Sequence, residues 1–421
     1  MRILHITAHM GGGVGRALSD LIIYDDDNDH NVILLQEPEK KEFIDRCRKY
    51  ANILVCPTPE IIRLYAQDAD IVIWHWWHHP IMCGFLANFP EIETRMILWS
   101  HVSGCTYPYL NPEFAKQFDY IIMTSKYTLE NPYWTEIDLA VIRRKISLVY
   151  GQGKMEQVSC KSDYNLNTQR VNIGYVGTFA KSKMNPEFVS ACKNIVERYS
   201  NVVFTMVGDT EYAGWLNNEA EKNGINDIFD FTGYITDINE VLKKMDIFGY
   251  PLNPYNFATT ENSILEAMAV GLPIVLLDQG TEKYIINHGE DGLLAQNMSD
   301  YVQCIVSLIE DKALREKLGQ QASKTVLQKY SYKMNLKRFD AVIKNIKKLE
   351  KRMHSFKRII GETPYEWFVS GVNKDDMRII NDGELFKLGD IFKENNKSSI
   401  KHFYSVYYND KKLQELYEKL R

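Results

Sequence analysis

A pair of doubly wound α/β domains is the architecture this chain predicts, and three observations predict it. Short apolar runs bounded by turn residues alternate with segments of helical period up to about position 314. The polar stretch EQVSCKSDYNLNTQR at 156–170 interrupts that alternation and reads as a linker. On either side of it the opening strand runs straight into a glycine-bearing turn, GGGVGR at 11–16 and GYVGTF at 174–179.

The elements follow in order. Strands are expected over 2–7, 31–36, 53–56, 71–74, 96–99, 120–124 and 146–149, with helices such as 15–23 and 42–50 between them. The second half has strands over 171–176, 202–207, 228–231, 247–250 and 274–277, separated by helices near 186–199, 215–222 and 238–245. Such alternation gives a parallel sheet with covering helices, and ligands of these sheets sit at the carboxyl ends of the strands. Beyond this the chain turns helical and charged. Ile343, Ile346, Leu349, Met353, Phe356 and Ile360 recur at helical spacing among Lys344, Lys347, Lys348, Lys351, Arg352, Lys357 and Arg358. Two readings stand: a packed helix with a solvated face, or a basic amphipathic surface near 343–358 that touches anionic lipid. Leu413, Leu416, Tyr417 and Leu420 suggest a closing helix in an otherwise unassigned tail, 361–421.

Composition narrows the function classes. At 421 residues with 45% hydrophobic and 25% charged residues, the chain is long enough for two or three globular domains. A net charge of −5 argues against a nucleic-acid partner, which needs a basic face. Seven cysteines without a Cys-x-x-Cys pair indicate reduced thiols and a cytoplasmic protein, with neither a disulfide frame nor a zinc site. The apolar start is too short for a signal peptide, and no apolar run approaches the ~18 residues of a membrane span.

Several motifs carry chemistry. FATTENSILEAMAVGLP at 257–273 reads as a polar loop, a short helix holding Glu266, and a Gly271-Leu272-Pro273 stop. Its free N–H groups and positive helix end suit an anion, and Glu266 could accept hydrogen bonds from a diol. A nucleoside diphosphate has both groups; an ordinary capped βα unit is the alternative. The glycines at 11–13 let a backbone approach a phosphate without Cβ clashes. A dinucleotide fingerprint would need glycine at 16, where Arg16 stands, so a nicotinamide dehydrogenase using Glu37 is a minority reading. Lys181 and Lys183 follow the second domain's first strand, where they could neutralise a diphosphate. His75, His78, His79 and His101 fall just after strands, on the edge where a ligand would sit. They suit hydrogen bonding to a polyhydroxylated ligand better than a zinc set, with Trp76 or Trp77 either stacking on it or packing in the core. Asp25-Asp26-Asp27 contains an Asp-x-Asp pair but reads as a solvated turn, and no metal site is expected.

Taken together, these residues resemble the retaining, GT-B-fold glycosyltransferases of family 4 (glycosyltransferase group 1). The resemblance covers roughly 1–334, through GGGVGR, DIVIWH, His101, YVGTFAKSK, MVGD, FTGYITD, DIFGYP and, most specifically, ATTENSILEAMAVGLPIV with LLDQGTEKYIINHGEDGLL. It implies two Rossmann-like domains facing across a cleft, 1–160 on the acceptor side and 161–325 for the nucleotide sugar. It further implies a helical segment, 326–360, returning to the first domain. By the same resemblance Lys183 stabilises the departing diphosphate, Glu266 binds the ribose hydroxyls and His101 contacts the donor sugar. Gly12 and Gly13 approach the diphosphate from the other domain, while Thr178, Lys181, Thr260, Glu261 and Asn262 line the donor. Tyr234 and Ile235 offer main-chain groups to the base. The donor is a nucleotide sugar, UDP-linked rather than GDP-linked, with no cofactor, and the acceptor is a glycan or lipid-linked hydroxyl. Contact with the inner membrane face through the basic segment is compatible with such an acceptor.

Two positions depart from the pattern. The family's first glutamate, eight residues before Glu266, is Ala258, and its loop arginine is Thr178. Lys181 could compensate for the arginine. Glu261 either substitutes for the glutamate or is a solvated first-turn residue favoured by the helix dipole. These departures keep a non-catalytic partner subunit in view, beside a sugar-nucleotide epimerase on the same fold.

Overall fold

The structure is a computed structural model that describes residues 1–151, 155, 158–167, 169–394 and 398–420. Positions 156, 157 and 168 of the expected linker lie outside the described residues, as do 395–397 and 421 of the tail. The chain forms two compact units, one of residues 1–152, 257–260 and 332–421, the other of 153–256 and 261–331. The expected boundary at 160/161 thus falls a little earlier, and everything after 331 groups with the first unit.

The first unit holds a seven-stranded sheet in the order β3-β2-β1-β4-β5-β6-β7. Its strands are β1 (Arg2–Thr7), β2 (Asp29–Leu34), β3 (Ala51–Val55), β4 (Ile71–Trp76), β5 (Met96–Ser100), β6 (Tyr120–Met123) and β7 (Ile146–Leu148), all parallel. Both faces are covered, which is why the central strands read as continuous apolar runs. On one face Ile3, Ile71, Ile73, Ile97, Trp99 and Ile122 pack with Leu21 of the helix Gly12–Tyr24. Phe339, Val342, Ile343 and Ile346 of the helix Tyr332–Ile346 join the same core.

That packing corrects the expected helix through 343–358. The helix stops at Ile346, and Arg352 enters an antiparallel bridge with Thr94. The Arg352 guanidinium pairs with Asp119, and Lys351 Nζ donates to the Ala69 carbonyl at 2.7 Å. Ile343, Ile346, Phe356 and Ile360 are buried while Leu349 and Met353 are exposed, and the chain between Ile346 and Phe356 is drawn out of helical geometry by backbone pairing. A short helix, Lys357–Ile360, follows. The tail adds helices Pro364–Val369, Lys374–Asn381, Ile400–Val406 and Lys411–Glu418. Phe368, Phe392 and Phe403 are buried around Tyr107 and His78. The anticipated closing helix is Lys411–Glu418, with Leu413 and Leu416 buried and Tyr417 stacked on Tyr404 at 4.5 Å.

In the second unit six parallel strands run in the order β10-β9-β8-β11-β12-β13. They are β8 (Val171–Val176), β9 (Val202–Val207), β10 (Phe229–Gly233), β11 (Ile247–Tyr250), β12 (Ile274–Leu277) and β13 (Leu293–Ala295). β13 is too short to stand out as a periodic run and was not anticipated. The helix Asn262–Val270 ends at Gly271, whose φ of +83° is left-handed. A Cβ there would also lie 2.6 Å from Cys160 Sγ, so glycine is required twice over. No helix among the described residues is long and apolar enough to cross a membrane.

Candidate functional site

Strand order reverses between β8 and β11 in the second unit, and ligands of doubly wound sheets bind at that switch, beyond the carboxyl ends of the strands. Both flanking connections carry candidate residues. Lys183 lies in the turn after β8, and Glu261 is the N-cap of the helix that follows β11. Their charged ends meet at 2.9 Å. Tyr250, at the end of β11, donates its hydroxyl to Glu261 Oε2 at 3.0 Å and holds its ring 5.8 Å from Lys183 Nζ. Beneath it Tyr175 of β8 stacks at 4.8 Å. Burial of Lys183 pushes its pKa down, but the Glu261 carboxylate outweighs this and holds it above the usual lysine value.

Of the two expectations for Glu261, the solvated first-turn residue is overturned. Its side chain is only 14% exposed and makes no capping bond, so it is not a solvated first-turn residue. It is committed instead to the lysine assigned to the diphosphate. Glu266 sits one turn further along the helix and is buried. Asn262 carries a buried Oδ1 with no hydrogen-bond partner. Thr178 is half-buried, with its carbonyl accepting from the Tyr175 hydroxyl at 3.3 Å. Lys181 is exposed, with Nζ 6.0 Å from the Trp215 ring. Tyr234 and Ile235 lie just past β10, two strands from β8.

Sequence reasoning missed Glu282. It opens the four-residue helix Glu282–Ile285 and is 1% exposed, and its carboxylate oxygens face the backbone N–H groups of Glu282 and Gly280 without a well-aligned hydrogen bond. Burial, with the carboxylates of Glu261 and Asp278, pushes its pKa up to about 8.

In the first unit the order reverses between β1 and β4. Gly12 begins the helix after β1 with φ +55°, and both Gly12 and Gly13 are exposed. A Cβ on Gly12 would meet nothing within 4 Å. The Gly11 N–H donates to His9 Nδ1 at 3.1 Å. Thr260 groups with this unit, its hydroxyl donating to the Thr124 carbonyl, and Ala258 is buried.

His101 stands just past β5 and is partly exposed, and burial of its ring pushes its pKa down to about 3. The other histidines depart from expectation. His75 lies within β4 and is fully buried, because the strand runs two residues further than its apolar run suggested. His78 and His79 are buried too, His78 against Phe403 of the tail and His79 against His402. Trp76 is a core residue packed on Phe114. Nor is Asp25 part of a solvated turn: it is buried and accepts from Asn28 Nδ2 at 2.9 and 3.1 Å. Among the described residues no group of three or more His, Cys, Asp or Glu is placed to hold a metal ion.

Residues 170–311 match the family model for glycosyl transferases group 1. The chain is 22% identical over 334 residues to an uncharacterized 41.2 kDa protein in the cps region of Klebsiella pneumoniae, covering 70% of this chain and 86% of that one. It is 26% identical over 167 residues to the capsular polysaccharide biosynthesis glycosyltransferase CapM of Staphylococcus aureus, 38% of this chain and 42% of that one. Among solved structures, Anabaena HepE in complex with UDP and glucose superposes with a TM-score of 0.67 at 16% identity, covering 82% of this chain and 100% of that one. The lipopolysaccharide outer core galactosyltransferase WaaB superposes at 0.60 and 16% identity, covering 82% and 99%. Residues 170–311 of the second unit are thus similar to glycosyl transferases group 1, and the two Rossmann-like units with added helices have the GT-B fold.

Proposed function

We propose that this protein transfers a sugar from a UDP-linked donor to a hydroxyl of a glycan or lipid-linked acceptor, with retention at the anomeric carbon. The observation that carries the reading is Lys183 at the switch point of the group 1 domain, held as a cation by Glu261 above two buried tyrosines. A leaving diphosphate gains most from a preorganised positive group in a dry site, and this lysine is fixed before any ligand arrives. The helix start at Asn262 adds N–H groups directed at the same anion. Glu266 binds the ribose hydroxyls, and Gly12 and Gly13 admit the diphosphate. His101 faces the sugar, while the main chain at Tyr234 and Ile235 faces the base. Thr178, Lys181 and Thr260 complete the donor contacts.

No protein nucleophile is needed. The bond from anomeric carbon to diphosphate breaks, the acceptor hydroxyl attacks the same face, and the departing phosphate takes its proton. The protein's work is positioning and charge stabilisation. Glu261 tempers that charge, so the diphosphate must share or displace an existing carboxylate to reach Lys183. Residues 343–358 do not form a single basic amphipathic helix that could lie on a membrane, because the helix ends at Ile346 and Arg352 pairs with Thr94.

The test mixes the protein with a panel of UDP and GDP sugars, with and without glycan acceptors, and follows free nucleotide. Release of UDP is expected, and Lys183→Ala is expected to slow it by more than tenfold, since one such donor is worth ~2.7–4 kcal/mol of barrier. Wild-type rates in that variant would refute the assignment. Donor consumption without nucleotide release would indicate an epimerase, and no reaction with any donor a non-catalytic subunit.

A further inference from the structure

Three neighbouring strands of the first sheet, β2, β1 and β4, each contribute one histidine to the same face, and a fourth, His101, stands just past the end of β5. His30 of β2 stands opposite Ile3, His5 of β1 opposite Ile73, and His75 of β4 opposite Trp99, two residues before His101. Each imidazole is therefore two residues nearer the carboxyl edge than the last, and the pleat brings ring to ring. His30 Nδ1 is 2.9 Å from His5 Nε2, His5 Nδ1 is 3.0 Å from His75 Nε2, and His75 Nδ1 is 2.9 Å from His101 Nε2. Successive ring centroids are 5.2 Å apart. At the far end His30 Nε2 lies 3.2 Å from Asp25 Oδ2, a contact too oblique for a well-aligned hydrogen bond.

We propose that Asp25, His30, His5, His75 and His101 form a proton relay running from the amino edge to the carboxyl edge of this sheet, which holds His101 there as a hydrogen-bond acceptor. A neutral imidazole has one N–H and one lone pair, so rings joined nitrogen to nitrogen must all point their N–H groups the same way. An ionised carboxylate only accepts, so Asp25 sets that direction. All four rings then carry the proton on Nε2, and His101 presents the bare Nδ1 at the edge where ligands of such sheets bind. Burial drives His5 and His75 well below the usual histidine pKa, so charge does not rest in the middle of the line. The Asp25 carboxylate closes the far end, its own pKa pushed up by burial but held below the usual value by His30 and Asn28. Asp27 and Asp340, the latter on the helix packed against this face, add negative charge at that end.

The proton step balances. A proton taken at His101 Nδ1 releases the Nε2 proton to His75 Nδ1. His75 passes its own to His5, and His5 passes its own to His30. The line ends with every ring protonated on Nδ1 and His30 as an imidazolium facing Asp25, and reversal restores the start. Naming a sugar hydroxyl as the group that donates to His101 rests on the proposed glycosyl transfer; the relay does not.

The test is long-range 1H–15N NMR on the full chain labelled with 15N-histidine, without any donor sugar. In the wild type His5, His30, His75 and His101 are expected as Nε2–H tautomers. In Asp25→Asn the amide oxygen keeps Asn28 and the Asp27 N–H, leaving the NH2 group to donate to His30, so all four rings should switch to Nδ1–H. That reversal at His101, three strands away from His30, is something a packing role would not produce. An Nδ1–H tautomer at His101 in the wild type would overturn the proposal without any variant. So would an unchanged His101 in a folded Asp25→Asn protein.

Discussion

Replacing Glu282 by glutamine should make this protein more stable, and increasingly so as pH rises. Burial lifts the Glu282 pKa to about 8 from an ordinary 4.5, with the Glu261 and Asp278 carboxylates adding to the rise and the backbone N–H groups of Glu282 and Gly280 opposing it. A raised pKa means the folded state holds the proton more tightly than the unfolded chain does. The stability linked to that proton is complete below about pH 4.5 and is lost as pH rises through about 8. The gap between 4.5 and about 8, at ~1.36 kcal/mol per pH unit, puts the full loss on the order of 5 kcal/mol, of which about 3 is already gone at pH 7. Glutamine keeps the shape and removes the titration. The variant should match wild type near pH 4 and exceed it by roughly 3 kcal/mol at neutral pH. Urea unfolding at several pH values measures this, with hydrogen exchange of β11 and β12 amides assigning the transition to the second unit, because two units need not unfold together. Parallel wild-type and variant stability curves from about pH 5 to about pH 9 would show that Glu282 is already ionised in the fold, and the reasoning would fail.

Glu261→Gln should leave the Lys183 ammonium buried without its carboxylate, so desolvation should lower the lysine pKa and shift the alkaline limb of the rate–pH profile to lower pH. An unmoved limb, with unchanged donor preference and turnover, would remove Glu261 from any role at the donor. Gly271→Ala forces a side chain into a left-handed residue and against Cys160 and Tyr164, which should cost more than about 1 kcal/mol; a thermal midpoint equal to wild type would contradict it.

Much of the scaffold was legible because it depends on local periodicity. Strand runs such as Arg2–Thr7 and Val202–Val207 announce themselves through apolar patterning, and Gly271-Leu272-Pro273 stops its helix for reasons held within three residues. The order of domains and the motif after β11 are likewise properties of the linear chain. Tertiary structure decided the rest. The helical spacing from Ile343 to Ile360 is real in the sequence, but pairing of Arg352 with Thr94 breaks it. Lys183 and Glu261 meet only because β8 and β11 become neighbours, which no local pattern encodes. His5 and His30 look like isolated polar residues in apolar strands. Strand order and register, set by the summed packing of whole helices on the sheet, align them with His75 and His101 into one hydrogen-bonded row.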